Sequence, residues 1–220
     1  MTMVEVTRRN IGLGAGMATA VALTAAALIS FSTAEAQGAI EPGNDAPIFL
    51  DAVTAQGEAI DLPDFEGKTV VLEWTNHDCP FVKKHYAAPP ENMQGLQEEA
   101  GEAEVVWIQV ISSAPGKQGH VSAEKALELN ETRGATPSYT ILDETGAIGR
   151  SYGAKTTPHM YVVDAEGTLQ YNGAIDSIKS ASASDIADAD PYFLNAVNQV
   201  VEGEEVQLAS TAPYGCSVKY

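Results

Sequence analysis

The feature that most constrains this chain is an apolar run that ends shortly before a cysteine followed by proline. Residues 69–74 (TVVLEW) are nearly all apolar or β-branched, as expected of a central strand that is buried on both faces. Pro80 suits the first position of a helix, where its missing N–H costs nothing. Cys79 is therefore predicted to lie where a buried strand meets a helix N-terminus. Free amide groups and the helix dipole stabilise a thiolate there.

Apolar runs elsewhere in the chain predict one α/β domain with a central mixed β-sheet flanked by helices. Besides residues 69–74, the runs expected to form strands are residues 46–50, 59–62, 105–111, 138–142, 160–163 and 168–171. Helices are expected to begin at Pro80, Ser122 and Asp190, and Gly134 and Gly203 are placed to end the last two. Strand–helix–strand order, then a hairpin and a helix, is typical of such a domain.

The first 36 residues have the pattern of an export signal. Arg8 and Arg9 precede an uncharged stretch over residues 10–33, and residues 34–36 (AEA) form a small-x-small cleavage pattern. The arginine pair resembles that of a twin-arginine signal. The alternative is an uncleaved anchor, because residues 11–31 are about long enough to span a bilayer. That stretch is rich in Ala, Gly and Thr, so we expect cleavage and a periplasmic protein.

The charge of the chain excludes two classes of partner. It has 30 acidic and 12 basic residues, and its net charge is −18. Nucleic-acid binding rewards clusters of Lys and Arg, and anionic membrane surfaces attract basic segments. We therefore expect neither nucleic acid nor, after signal cleavage, a membrane as partner. The acidic excess is typical of a soluble protein.

The neighbourhood of Cys79 favours a reactive thiol. Lys83 and Lys84 lie on the first turn of the predicted helix and add positive charge, which Asp78 opposes. The alternative is an inert buried cysteine, which is common in protein cores. A charged, polar neighbourhood is a poor place for such a cysteine. We therefore predict that the pKa of Cys79 lies below its ordinary value.

Four segments of the chain carry a more specific signal. They are residues 45–50 (DAPIFL), 65–72 (FEGKTVVL), 73–83 (EWTNHDCPFVK) and 156–160 (TTPHM). Together they resemble the thioredoxin-like redoxins, a family that includes relatives of alkyl hydroperoxide reductase and thiol-specific antioxidant proteins. The resemblance runs from about Asp45 to Val201 and implies a thioredoxin-like fold. We therefore expect a thioredoxin-like domain over residues 37–203, followed by a tail over residues 204–220. The resemblance also implies a thiol oxidoreductase with antioxidant activity, which the export signal would carry out of the cytoplasm.

The same resemblance assigns roles around Cys79. Its thiolate would attack a peroxide or a disulfide, and a thiol reductant would restore it. Glu73 matches the buried acid of thioredoxins, which accepts or relays the thiol proton; a solvated charge at a strand edge is the alternative. Thr157 and Pro158 match the cis-proline loop that faces the reactive cysteine, where the backbone can pair with a substrate. His159 follows and would tune the thiolate, the alternative being an ordinary turn with a surface histidine.

The chain departs from the redoxin pattern at two positions. Val82 stands where thioredoxins have the second cysteine of Cys-x-x-Cys, so dithiol exchange within the motif is impossible. Asn76 stands where peroxiredoxins have a threonine, and Thr75 is one residue off. The loss of the second cysteine favours the alternative that the chain is a non-catalytic binding or chaperone module. The charged setting of Cys79 favours the enzyme.

Cys216 is the only other cysteine in the chain, and we predict that it resolves Cys79. It lies in the tail beyond Gly203, and an extended tail of this length crosses much of a domain of this size. Gly215 would let the tail turn beside the active site, and an oxidising compartment favours a disulfide. A free tail thiol and a disulfide to a second subunit remain the alternatives.

Three histidines and one arginine supply further candidate ligands. His77, His85 and His159 would bind copper or zinc only if the fold gathered them, and no pair of them has a recognised ligand spacing. The sequence therefore predicts neither a metal nor another cofactor. Arg150 is a candidate for polarising a peroxide, the role that an arginine has in peroxiredoxins.

We predict that export yields a chain that begins near Gln37, because cleavage follows the small-x-small pattern of residues 34–36. Mass spectrometry of the periplasmic fraction measures that end directly. A full-length chain held in the membrane would instead support the anchor.

Overall fold

The computed structural model describes residues 40–87 and 92–220. The predicted export signal and its cleavage site lie outside these residues. Within them, no helix has both the length and the apolar character needed to cross a membrane.

The described residues form short and long strands joined by helices. The strands are β1 (Ala52–Val53), β2 (Ala59–Ile60), β3 (Val70–Trp74), β4 (Val106–Ile111), β5 (Tyr139–Leu142), β6 (Thr156–Thr157), β7 (His159–Val163), β8 (Leu169–Gly173) and β9 (Cys216–Ser217). The α-helices are α1 (Pro80–Tyr86), α2 (Asn92–Glu102), α3 (Ala123–Thr132), α4 (Ala147–Ser151) and α5 (Tyr192–Val201). Two 3-10 helices cover Leu62–Phe65 and Ala183–Asp188.

Five strands form the central mixed sheet, in the order β5-β4-β3-β7-β8. β3 lies at its centre, parallel to β4 and antiparallel to β7. β5 extends the parallel half, and β8 closes the other half as a hairpin with β7. This arrangement confirms the single domain with a central mixed sheet and flanking helices that the sequence predicts.

Alternation along β3 separates two halves of the core. Leu72 and Trp74 pack into a cluster on one face of the sheet. Val71 packs on the other face, in a cluster that also contains Trp107 and Cys79. Each of the five side chains of β3 is at most 2% exposed, so this strand is buried on both faces. The strand therefore ends where the following loop can deliver Cys79 into the core.

The first predicted strand, residues 46–50, is wrong in the structure. That segment forms no strand, and the short hairpin is formed instead by β1 and β2. Pro47 has no N–H to give to a ladder, and Asp51 adopts a left-handed conformation with φ of 51°. These two residues stop a continuous strand before β1.

The tail does not run free beyond α5, although Gly203 ends that helix with φ of 71°. It returns along the edge of β8, where the Asn172 N–H donates to the Ala209 carbonyl at 3.0 Å and the Thr211 N–H donates to the Asn172 carbonyl at 3.2 Å. Near its end the tail pairs with the segment that follows β4, where Ser113 forms a β-bridge with Lys219 and the Ala114 N–H donates to the Lys219 carbonyl at 2.9 Å. The tail is therefore an integral layer over one end of the domain.

Candidate active site

Cys79 lies at the N-terminal cap of α1, directly after the loop that leaves β3. It is 0% exposed and packs in the core cluster with Val71 and Val82. Its thiol donates a hydrogen bond to the carbonyl oxygen of Thr157, at 3.1 Å. The peptide bond from Thr157 to Pro158 is cis, as the sequence predicts. The proline loop therefore faces the cysteine through the Thr157 carbonyl.

Asn76 shapes the loop between β3 and Cys79. Its side-chain oxygen accepts the Asp78 N–H at 2.9 Å, and its side-chain amide donates to the Gln118 carbonyl at 3.3 Å. Its own carbonyl accepts the Cys79 N–H at 3.0 Å. The redoxin resemblance expects a threonine at this position. Here the polar side chain is instead used to hold the loop.

The tail brings Cys216 to the proline loop through a short piece of sheet. β9 pairs antiparallel with β6, so that Cys216 lies opposite Thr157 and Ser217 lies opposite Thr156. Gly215 makes the approach possible, because a Cβ at this position would lie 2.1 Å from the Thr157 carbonyl oxygen. The structure thus brings together both cysteines and the proline loop that the sequence singles out.

The two sulfurs interact and shift each other's acidity in opposite directions. Burial is the largest effect on the pKa of Cys79 and raises it. Hydrogen bonds from the Cys216 and Thr157 side chains and from the Cys216 and Val82 backbones together outweigh burial, so the net shift of the pKa is downward. Burial, together with the hydrogen bond to Cys79 and its charge, raises the pKa of Cys216 to about 11. Cys79 is therefore the thiol that loses its proton first, and Cys216 is the donor that stabilises the thiolate.

The two lysines expected to activate Cys79 have other partners. Lys83 is exposed, and its Nζ lies 4.0 Å from the Asp78 carboxylate. The Lys84 side chain is fully buried, and its Nζ donates to Asp176 Oδ2 and to the Ile178 carbonyl, both at 3.1 Å. The low pKa of Cys79 therefore comes from hydrogen bonds rather than from the lysines.

Tyr214 joins the buried Lys84–Asp176 pair to the tail. Its hydroxyl donates to Asp176 Oδ1 and accepts from Lys84 Nζ at 3.3 Å. Its ring packs edge-on against Phe81, with 5.9 Å between the ring centroids. Lys84 and Phe81 belong to α1, the helix that Cys79 caps, and Tyr214 stands two residues before Cys216. The network therefore fixes the helix and the tail relative to each other.

Glu73 is buried, as the sequence predicts, but its carboxylate is occupied by neighbours other than Cys79. It accepts hydrogen bonds from the Tyr86 hydroxyl at 2.9 Å and from Trp107 Nε1 at 2.9 Å. Gln97 and Gln109 donate to the same carboxylate, each at 3.4 Å. No direct contact within the described residues connects Glu73 to the thiol. Its visible effect is to tie α1 and α2 to the sheet.

His159 holds the backbone next to the proline loop through hydrogen bonds. Its Nδ1 accepts the Lys155 backbone N–H at 3.3 Å and lies 3.1 Å from the Tyr161 hydroxyl. Its Nε2 therefore carries the proton and donates to Asn172 Oδ1 at 2.8 Å. Burial lowers the pKa of His159 to about 4, so the ring is neutral at physiological pH. With both nitrogens engaged, the ring has none to offer Cys79, which differs from the tuning role that the sequence suggests.

The three histidines that the sequence considers as metal ligands have separate partners. His77 Nε2 lies 3.4 Å from Asp78, while His85 Nδ1 lies 3.0 Å from the Asn92 side-chain amide. His159 is engaged with the loop as described above. Among residues 40–87 and 92–220, no three His, Cys, Asp or Glu side chains are grouped so that they could hold a metal ion.

Arg150 contacts the end of the tail rather than Cys79. Its guanidinium lies over the Tyr220 ring, 4.4 Å from the centroid, and one of its amino groups donates to the Thr145 carbonyl at 2.5 Å. The Tyr220 hydroxyl in turn donates to the Ala154 carbonyl at 2.9 Å. Arg150 therefore helps to hold the last residue of the chain in place.

Sequence reasoning missed Asp176 and Tyr214, which join the tail to the active-site helix. Asp176 stands in a stretch without a recognisable motif, 92 residues after its partner Lys84. The aromatic ring of Tyr214 immediately before Gly215 and Cys216 was the available signal.

We predict that the Cys216→Ala substitution raises the pKa of Cys79, because it removes the donor that stabilises the thiolate. The Cys216→Ser protein keeps a donating hydroxyl and should show a smaller rise. Thiolate absorbance against pH measures both, with the Cys79→Ala protein as background. An unchanged midpoint in Cys216→Ala would show that the Cys216 thiol does not stabilise the Cys79 thiolate.

Comparison with known proteins gives a family and a fold for the chain. Residues 42–172 match the AhpC/TSA family, whereas no match is found among curated proteins. A hypothetical protein from Sinorhizobium meliloti 1021 has a similar structure, with TM-score 0.64, 21% identity, and coverage of 83% of this chain and 96% of that chain. An uncharacterized conserved protein from Geobacillus kaustophilus has TM-score 0.64, 23% identity, and coverage of 81% and 92%.

A further structural neighbour has a redox name. A thiol:disulfide interchange protein from Bacteroides sp. has TM-score 0.51, 18% identity, and coverage of 75% of this chain and 92% of that chain. At this level of identity the structures establish a common thioredoxin-like fold. The family match covers more than half of the chain, and it agrees with the resemblance found in the sequence. The chain belongs to the AhpC/TSA family.

Proposed function

We propose that this protein is an exported thiol-dependent peroxidase in which Cys79 is the attacking thiol and Cys216 is the resolving thiol. The observation that carries the proposal is the pairing of β9 with β6, which sets Cys216 opposite Thr157, whose carbonyl accepts the Cys79 thiol at 3.1 Å. The pKa of Cys79 is lowered and that of Cys216 is raised, in agreement with this arrangement. A nucleophile needs to be a thiolate, and a resolving thiol needs to lie within bonding reach of it. Both conditions meet at Thr157.

The first step oxidises Cys79. Its thiolate attacks the terminal oxygen of a hydroperoxide, the S–O bond forms as the O–O bond breaks, and the departing alkoxide takes up a proton to become an alcohol. Cys79 becomes a sulfenic acid. In the protonated enzyme the Cys79 thiol donates to the Thr157 carbonyl at 3.1 Å, and this hydrogen bond is given up when the thiolate forms.

The second step forms a disulfide within the chain. The Cys216 sulfur attacks the Cys79 sulfur, the S–S bond forms, and the S–O bond breaks to release hydroxide. The proton of Cys216 converts that hydroxide to water. Val82 stands where the motif usually has its second cysteine. In this proposal Cys216, supplied by the tail, takes the role of that missing cysteine. The loss of the motif cysteine then no longer favours a non-catalytic module.

An external dithiol reductant completes the cycle. Cys216 is half-buried whereas Cys79 is 0% exposed, so the reductant reaches the Cys216 sulfur. Its thiolate forms a mixed disulfide there, Cys79 leaves as a thiolate, and the second thiol of the reductant releases Cys216. The direction of attack agrees with the acidity of the pair, because a thiol of lower pKa is the better leaving group.

The proposed location is the periplasm, which the pattern of Arg8, Arg9 and residues 34–36 supports. An oxidising compartment is compatible with an enzyme that forms a disulfide in its cycle and depends on a dedicated reductant.

We predict that one equivalent of hydrogen peroxide converts the reduced protein to a monomer with a disulfide between Cys79 and Cys216. In Cys216→Ser the sulfenic acid on Cys79 should persist at least about a hundredfold longer, because a positioned intramolecular thiol is lost. Peptide mapping without reduction detects the disulfide, and a sulfenic-acid trap measures the lifetime.

The Ser217→Ala protein is the matched control, because Ser217 lies beside Cys216, is exposed, and uses its side chain only to accept a hydrogen bond from Lys219. It should form the disulfide at the rate of the unaltered protein. A chain that does not consume peroxide, or whose Cys79 and Cys216 end in separate products, would favour the non-catalytic module.

A further inference from the structure

The backbone edge at the proline loop is the place where a polypeptide disulfide would have to dock. A segment that presents a sulfur to Cys79 gains most by pairing with the exposed edge of β6, because added strands bind through main-chain hydrogen bonds. In this structure the edge is already paired. β9 occupies it in antiparallel register, and its own sulfur lies against Cys79.

The fit between tail and loop leaves no room for a second segment. Even one added carbon at Gly215 would lie 2.1 Å from the Thr157 carbonyl oxygen and 2.8 Å from its carbonyl carbon. Cys79 beneath is 0% exposed. A foreign strand can therefore reach this sulfur only after the tail has left the edge.

The tail is anchored on both sides of Cys216. Before it, Tyr214 is 5% exposed and bonds to the buried Asp176 and Lys84. After it, the Val218 N–H donates to the Lys155 carbonyl at 3.1 Å, and Tyr220 is held at Ala154 and Arg150. Peeling the tail from β6 therefore means breaking contacts at both ends.

We propose that residues 214–218 are a built-in occupant of the docking edge, which excludes polypeptide disulfides from Cys79 in the reduced protein. Gly215 is then the residue that determines this specificity. The inference rests on the proposed function, because it narrows the direct oxidant of Cys79 to small molecules such as hydroperoxides. A hydroperoxide needs space for its oxygens beside the sulfur, whereas a polypeptide disulfide also needs the strand edge.

The excluded reaction is ordinary thiol–disulfide exchange. The Cys79 thiolate would attack one sulfur of a peptide disulfide, a mixed disulfide would form as the peptide S–S bond breaks, and the other peptide half would leave as a thiolate. Polypeptide reductants act on the oxidised protein at half-buried Cys216, so the closed edge does not exclude them.

The test compares two oxidants on the reduced protein: hydrogen peroxide, and a disulfide-linked dimer of a ten-residue peptide. Rapid acid quenching, alkylation and mass spectrometry give the rate at which Cys79 is modified by each. The measured quantity is the ratio of the Cys79 rate with the peptide dimer to the Cys79 rate with peroxide. In Gly215→Ala this ratio should be at least about tenfold higher than in the unaltered protein, because one or two backbone hydrogen bonds of the tail are weakened.

Gly203→Ala is the matched control. Gly203 also has a positive φ, of 71°, but an added Cβ there would meet no atom within 4 Å. This protein should keep the ratio of the unaltered chain. Circular dichroism melts report whether each variant is folded.

If Gly215→Ala fails to fold, Tyr214→Phe provides the second variant. It keeps the ring against Phe81 and loses only the hydroxyl that binds Asp176, and it should raise the same ratio several-fold. Equal ratios in the unaltered protein and in the folded tail variant would overturn the inference. The rate with peroxide tests the proposed function separately. If Cys79 does not react with peroxide, the proposed function is wrong, whatever the rate with the peptide dimer.

Discussion

The antiparallel pairing of β6 with β9 is the contact on which the rest of the site depends. It places Cys216 opposite Thr157, whose carbonyl already holds the Cys79 thiol at 3.1 Å. A slip of one residue in this register would turn the Cys216 side chain to the other face of the ribbon. Two residues of pairing thus decide whether the chain has one redox pair or two separate thiols.

So short a ribbon does not hold itself together, because isolated pairs of strands are marginal in water. Its stability comes from the buried Lys84–Asp176 pair, which Tyr214 and the Ile178 carbonyl complete with hydrogen bonds. Removing one partner of such a pair leaves a buried charge and costs about 3–5 kcal/mol. The same network holds α1, so the helix that carries Cys79 and the tail that carries Cys216 are positioned together.

The parts that were predictable from sequence are those with a strong local pattern. The apolar run of β3 and the Cys79-Pro80 junction are recognisable within a dozen consecutive residues. The Thr157–Pro158 loop is predicted from the family resemblance. The path of the tail has no periodic signal, because it depends on single contacts between distant residues. Lys84 shows the difficulty: its position beside Cys79 in sequence suggested an electrostatic role, but its partner Asp176 lies 92 residues away. Residues 46–50 failed for a local reason, since Pro47 and the left-handed Asp51 interrupt a run that is otherwise apolar.

The central claim is that Cys79 and Cys216 form one redox pair within one chain. A redox titration of the purified protein in glutathione buffers, with alkylation and intact mass read at each potential, tests it most directly. The account predicts that both thiols disappear together in the monomer, in a single two-electron transition in which about 30 mV changes the equilibrium tenfold. Separate glutathione adducts on the two cysteines, or a midpoint that moves with protein concentration as linked dimers form, would contradict it.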